Sequence, residues 1–193
     1  MDHTPTMQEK IKTAIDYIIQ IRSSHPFLTV AIDGRCGSGK TTLANGLCDY
    51  FSCPVVHMDD FYLSFHRQTL HSCSTFAGHM DLDRIQNEVI LPRNQNKSFT
   101  YSIFDCRSQT FTKTISVDAL PLLIIEGTYS HHPQLGNYAG AKLFSDIPPP
   151  EQQQRIFQRE GTDGLHRFNQ LWIPREEAYF FTYKIRENSH LVL

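Results

Sequence analysis

A chain of 193 residues with 40% hydrophobic and 20% charged side chains has material for one well-buried domain plus a small lid or insertion. Its net charge of -2 gives no electrostatic reason to expect a nucleic-acid partner. No apolar run reaches membrane-spanning length, the first residues lack a signal-peptide pattern, and the five cysteines show no C-x-x-C spacing, so a cytoplasmic protein with reduced thiols is expected.

Taken in chain order, Ile11, Ala14, Ile15, Ile18, Ile19 and Ile21 recur at near-helical spacing and predict an amphipathic helix over 7–22. Residues 27–32 form a short β-branched run and predict a strand. Between that strand and a helical pattern over 42–51 lies Gly34-Arg35-Cys36-Gly37-Ser38-Gly39-Lys40-Thr41-Thr42, which fits G-x-x-x-x-G-K-[ST] at every fixed position. Strand, glycine loop and helix in that order make a phosphate cradle: the loop amides turn inward and the helix N-terminus adds partial positive charge. Lys40 would reach the β- and γ-phosphates, and the Thr41 hydroxyl would take one position on a magnesium ion. A helix N-terminus also lowers a thiol's pKa, so Cys36 is the cysteine to watch for oxidation.

A second strand over 54–58 runs into Asp59-Asp60-Phe61-Tyr62, and residues 63–80 read as a polar loop. A helix over 82–91 is expected to stop at Pro92. Residues 98–104 and 110–117 alternate as a hairpin does. The continuous apolar run 122–125 predicts a strand covered on both faces, ending at Glu126. Another strand over 141–147 meets Pro148-Pro149-Pro150, which can open a helix holding 152–159. A last helix over 174–181 precedes a final strand at 190–193.

Strands alternating with helices imply an α/β fold of the P-loop NTPase kind, a single domain over 1–193 with a parallel sheet covered on both faces. The hairpin at 98–117 is an insertion over the carboxyl edge of that sheet, and 151–167 is the lid. Carboxylates at strand ends beside a phosphate loop suit chemistry. Glu126 reads as the second magnesium anchor, and one of Asp59 and Asp60 as a general base for a substrate hydroxyl. Arg155 and Arg159, four apart, share a helix face and suit a lid over the γ-phosphate, with Gly161 and Gly164 as hinges. The ten histidines show no metal-ligand spacing, and the guanine-reading N-K-x-D of a regulatory GTPase is missing.

The phosphate loop, the Asp59-Asp60-Phe61-Tyr62 segment, Asp81 ahead of a helix, Phe104-Asp105 and the run 122–127 follow one another as in the uridine kinase-like P-loop kinases. That group includes relatives of phosphoribulokinase and pantothenate kinase. The resemblance covers about 27–159, and residues 126–133 and 168–180 are similar to a small bacterial branch generally labelled uridine kinase by similarity. It implies that Asp59 is the base, that Tyr62, Asp81 and Phe104 contact the acceptor, and that Arg155 and Arg159 belong to the lid. The chain departs from the family at Gln109, where those kinases carry a base-contacting histidine, and at Phe104 and Cys106, where they carry other aromatics. Relatives also continue beyond the point matching Leu193 into a segment that helps hold adenine, which implies weak purine selectivity here. The expected activity is an ATP-dependent kinase for a nucleoside-like hydroxyl, uridine or cytidine first, with ATP and the acceptor as its only expected partners. The rivals are a nucleoside monophosphate kinase using Arg67, Arg84, Arg93 or Arg107 for the acceptor phosphate, another metabolite kinase, and a non-catalytic nucleotide-binding module.

Overall fold

The computed structural model describes residues 5–68 and 75–193. Five parallel strands form the main sheet in the order β2-β5-β1-β6-β7: β1 (Leu28–Gly34), β2 (Val55–His57), β5 (Leu122–Glu126), β6 (Ala141–Ser145) and β7 (Leu191–Val192). Alternation along buried strands divides the core in two. Val30, Ile32, Ile124 and Leu143 turn toward α1 (Met7–Arg22) and α2 (Lys40–Phe51), where they meet Ala14, Ile18, Leu43 and Leu47. Ala31, Leu123, Ile125 and Phe144 turn the other way, toward Val56, Ile85, Val89 and Tyr179. Each fully buried aliphatic side chain contributes about 1.5–3 kcal/mol, so both faces of the sheet must be covered. They are, by α1 and α2 on one side and by the helix over 82–94 (α3) and α5 (Ile173–Tyr183) on the other. Among the described residues no helix is long and apolar enough to cross a membrane.

The first helix matches its expected bounds because Thr6 and Glu9 cap it reciprocally: the Glu9 carboxylate accepts the Thr6 N–H at 2.7 Å, and the Thr6 hydroxyl accepts the Glu9 N–H at 3.3 Å. Pro92 does not stop α3. The helix starts as Leu82–Arg84, widens into a π segment at Ile85–Ile90 and continues as Leu91–Asn94. The Leu91 N–H already bonds back five residues to Gln86, so the missing N–H and bulky ring of Pro92 meet a loosened ladder. The hairpin strands β3 (Phe99–Asp105) and β4 (Thr110–Val117) form a separate antiparallel ladder. Tyr101 stacks on Phe61 at 5.1 Å, which seats the hairpin beside the turn Met58–Phe61 at the carboxyl end of β2.

The expected strand over 141–147 ends at Ser145, and α4 (Pro149–Arg167) is longer than sequence spacing indicates. It kinks at Gly161, whose φ is 71°, and a π segment at Phe168–Trp172 joins it directly to α5. Part of the polar loop at 63–80, together with Cys73, falls on residues 69–74 and lies outside the described residues.

Asp146, just past β6, ties the ends of the chain to the loop after β1. Its carboxylate accepts from Arg35 and, at 2.9 Å, from Arg186, while its carbonyl accepts from Lys10 at 2.7 Å. Partial burial alone would raise this carboxyl, but Arg186 and Arg35 outweigh it and hold Asp146 below the usual carboxylate value. The stabilisation is therefore present above the unfolded value of about 3.9 and is lost as pH falls through the lower folded one. Asp146→Asn is expected to cost about 1–3 kcal/mol in urea unfolding at pH 7, with the gap from the native chain closing toward pH 2.

Candidate active site

Gly34 ends β1 opposite Ser145 of β6 with φ 139°, and a Cβ there would lie 2.1 Å from the Ser145 carbonyl oxygen, so the chain can leave the sheet only as glycine. Gly39, at φ 90°, precedes α2 without a side-chain cap, which leaves the first N–H groups of α2 directed at the cavity beyond. Lys40 folds its ammonium back onto the carbonyls of Gly34 at 2.8 Å and Arg35 at 3.0 Å. One turn of chain thus carries the amides, the helix terminus and the cation.

β5 brings the next group. Glu126 is buried at its carboxyl end, where one carboxylate oxygen accepts from the Thr41 hydroxyl at 3.1 Å and meets His57 Nδ1 at 2.6 Å. Bonding to Glu126 raises the His57 pKa above its ordinary value despite desolvation. A hydroxyl and a carboxylate are hard oxygen donors of the type magnesium takes, one or two from protein and the rest from phosphates and water. Among the described residues no cluster of three or more His, Cys, Asp or Glu side chains could hold a metal.

Asp59 faces the same cavity of about 520 Å³, and Tyr62 donates to it at 3.3 Å. Enclosure by the cavity walls, then the charge of Glu126, lift the Asp59 carboxyl above the ordinary value, with Lys40 pulling it down; open solvent on the cavity side screens all three. Its neighbour Asp60 turns instead to the hairpin, where it accepts from Tyr101 at 3.2 Å. Arg155 and Arg159 of α4 both line the cavity. Arg155 donates to the Gly37 carbonyl at 3.1 Å and pairs with Glu151, whereas Arg159 pairs with Glu160 and lies 5.5 Å over the Phe168 ring.

No protein-family model and no curated protein sequence matches this chain. Solved structures do. The chain is similar to a possible uridine kinase from Bacillus stearothermophilus, with a TM-score of 0.75 at 19% identity over 97% of this chain and 98% of that one. It is similar to a candidate fructose transport system kinase from a Silicibacter species, with a TM-score of 0.73 at 18% identity over 98% and 100%. A D-glycerate 3-kinase from Cryptococcus neoformans follows, with a TM-score of 0.61 at 14% identity over 91% and 88%. The fold is that of the P-loop kinases.

Within this P-loop kinase fold, the cavity gathers Lys40, Thr41, Glu126, Asp59, Tyr62, Arg155 and Arg159. It does not gather Asp81 or Phe104. Asp81 caps α3 through the Arg84 N–H at 3.2 Å, accepts from Arg67 at 2.6 Å and borders a neighbouring cavity. Phe104 is buried against Phe111 with ring centroids 5.4 Å apart. None of Arg67, Arg84, Arg93 and Arg107 lines the cavity; Arg93 is buried at the opposite edge of the sheet, donating to the carbonyls of Leu28 and Pro121. Cys36, the cysteine to watch for oxidation, sets its thiol against Glu176. Burial and then the Glu176 carboxylate push its pKa up, which leaves it protonated and poorly nucleophilic.

Several lining residues escape sequence reasoning. His79 packs between Trp172 at 4.8 Å, Tyr129 at 5.4 Å and Tyr62 at 5.6 Å, forming the wall next to Asp59. Burial, helped by Arg175, drops its pKa to about 4, so the imidazole is neutral. Glu176 also lines the cavity, while His57 stands behind it, bonded to Glu126. The placement of His57 two residues ahead of Asp59 on the same strand end is the one signal that could have found it.

Proposed function

We propose that this chain transfers the γ-phosphoryl group of ATP to a hydroxyl of a small, uncharged acceptor. One observation carries the reading: the Lys40 ammonium at the phosphate loop, the Thr41–Glu126 oxygen pair and the Asp59 carboxylate open onto one cavity. In this reading Gly34, Arg35, Cys36, Gly37, Ser38, Gly39 and Thr42 shape or line the phosphate cradle. Thr41 and Glu126 would hold a magnesium ion, whose charge offsets that on the phosphate oxygens. Asp59 takes the proton of the acceptor hydroxyl as its oxygen bonds to the γ-phosphorus and the bond to the ADP oxygen breaks. A carboxyl lifted toward working pH is a stronger base than an ordinary aspartate. Arg155 and Arg159, on a helix hinged at Gly161, stabilise charge on the moving phosphoryl group.

The solved structures it resembles bear kinase names for a nucleoside, a fructose transport system and glycerate, so the acceptor is read from the wall of the cavity. Tyr62, Tyr129, Trp172 and a neutral His79 offer ring faces and hydrogen bonds rather than charge. That wall favours a nucleoside such as uridine or cytidine over a nucleoside monophosphate. A screen of ATP consumption over nucleosides, nucleotides, sugars and vitamins tests this: ADP release is expected with uridine or cytidine and not with UMP. A flat response to every hydroxyl compound would favour a nucleotide-binding module without transfer.

A further inference from the structure

Glu176 has no part in the transfer scheme, yet it sits at the phosphate loop. It lies on α5, is 3% exposed, and lines the cavity beside Lys40 and Thr41. Its carboxylate oxygens accept the backbone N–H of Cys36 at 3.0 and 3.2 Å, the Gln152 amide at 2.9 Å and the Cys36 thiol at 3.1 Å. An amide of a loop built to hold an anion already holds one.

Lys40 identifies which end of the loop this is. Its ammonium rests on the carbonyls of Gly34 and Arg35, next to Cys36, and the lysine of such a loop reaches the β- and γ-phosphates. The carboxylate is also anchored. Glu177 accepts from Arg35 at 2.5 and 3.0 Å, and Tyr179 donates at 2.8 Å to Asp33, the buried carboxylate that takes the Gly34 N–H at 2.7 Å. These bonds fasten α5 across the base of the loop, so Glu176 cannot drift off without disturbing its neighbours. Burial raises its carboxyl above the ordinary value, with Lys40 opposing, as expected for a charge held under partial compensation.

We propose that Glu176 is a specificity-determining residue: its charge is a resident anion at the far end of the phosphate loop and penalises a terminal γ-phosphate more than a nucleotide ending at its β-phosphate. This rests on the nucleotide-binding reading above. Two like charges sharing desolvated amides repel, so triphosphate binds more weakly than it would without the Glu176 charge.

Calorimetric titration of the native chain and Glu176→Gln with a nonhydrolysable ATP analogue and with ADP, each with magnesium, tests it. Glutamine removes the charge and keeps one of the two acceptor oxygens for the Cys36 N–H, the other becoming an amide donor. The analogue is expected to bind the variant roughly tenfold tighter, with ADP within about twofold. An analogue that binds no tighter, or both nucleotides shifting equally, would overturn the proposal. Should Glu176→Gln not fold, Glu176→Asp draws the charge back by one methylene; a smaller gain for the analogue alone is then expected, and no gain overturns it. A native chain that binds neither nucleotide would overturn the kinase reading and this inference together, whereas binding with an unchanged ratio overturns this inference alone.

Discussion

Lys40→Ala is expected to lower phosphoryl transfer by about 10³-fold or more while the chain stays folded. Phosphoryl transfer is mostly positioning and charge stabilisation, and Lys40 is the cation fixed inside the phosphate loop itself. Its ammonium donates to two carbonyls of its own loop, and its charge opposes the raised carboxyls of Asp59 and Glu176. The cost to the fold is that of two loop acceptors returned to a solvated cavity, about 1–2 kcal/mol. ADP release at saturating acceptor, read beside a thermal melt, separates the two effects. A variant that melts near the native temperature yet turns over at the native rate would remove the loop from the mechanism.

Asp59→Asn should lower kcat by about 10²- to 10⁴-fold and leave nucleotide affinity within roughly threefold. The substitution keeps the shape of the side chain and one acceptor oxygen for Tyr62, and it removes the negative charge and the capacity to take a proton. Because desolvation and Glu126 raise the Asp59 carboxyl, native activity should fall as pH drops through that raised value, with the base increasingly protonated. The residual activity of Asp59→Asn should lack this acidic limb. Loss of nucleotide binding instead of turnover would mark Asp59 as part of the nucleotide site.

The candidate site is legible in this sequence wherever chemistry and chain geometry coincide locally. The loop 34–42 is such a place, since its glycines, lysine and threonine must be neighbours in sequence to be neighbours in space. The end of β5 is another, because a carboxylate after a continuous apolar run must emerge at the sheet edge. Choosing between Asp59 and Asp60 is not local: both lie in the turn Met58–Phe61, and only the hairpin's Tyr101 shows which one is turned away. Asp81 carries a family pattern, yet here its carboxylate is occupied by the α3 N-terminus and Arg67. Pro92 misleads for a physical reason, as a π segment upstream loosens the ladder that proline normally breaks. Glu176 is illegible because its partner amide lies 140 residues away, and nothing in Pro-Arg-Glu-Glu marks one of its two carboxylates as buried.

The central claim is that the loop between β1 and α2 grips a triphosphate. Calorimetric titration of the native chain and Lys40→Ala with magnesium and a nonhydrolysable ATP analogue tests it most directly. Saturable binding of one nucleotide per native chain, abolished or severely weakened in Lys40→Ala, is the predicted result. A native chain that binds no analogue, or a variant that binds it equally well, would contradict the account.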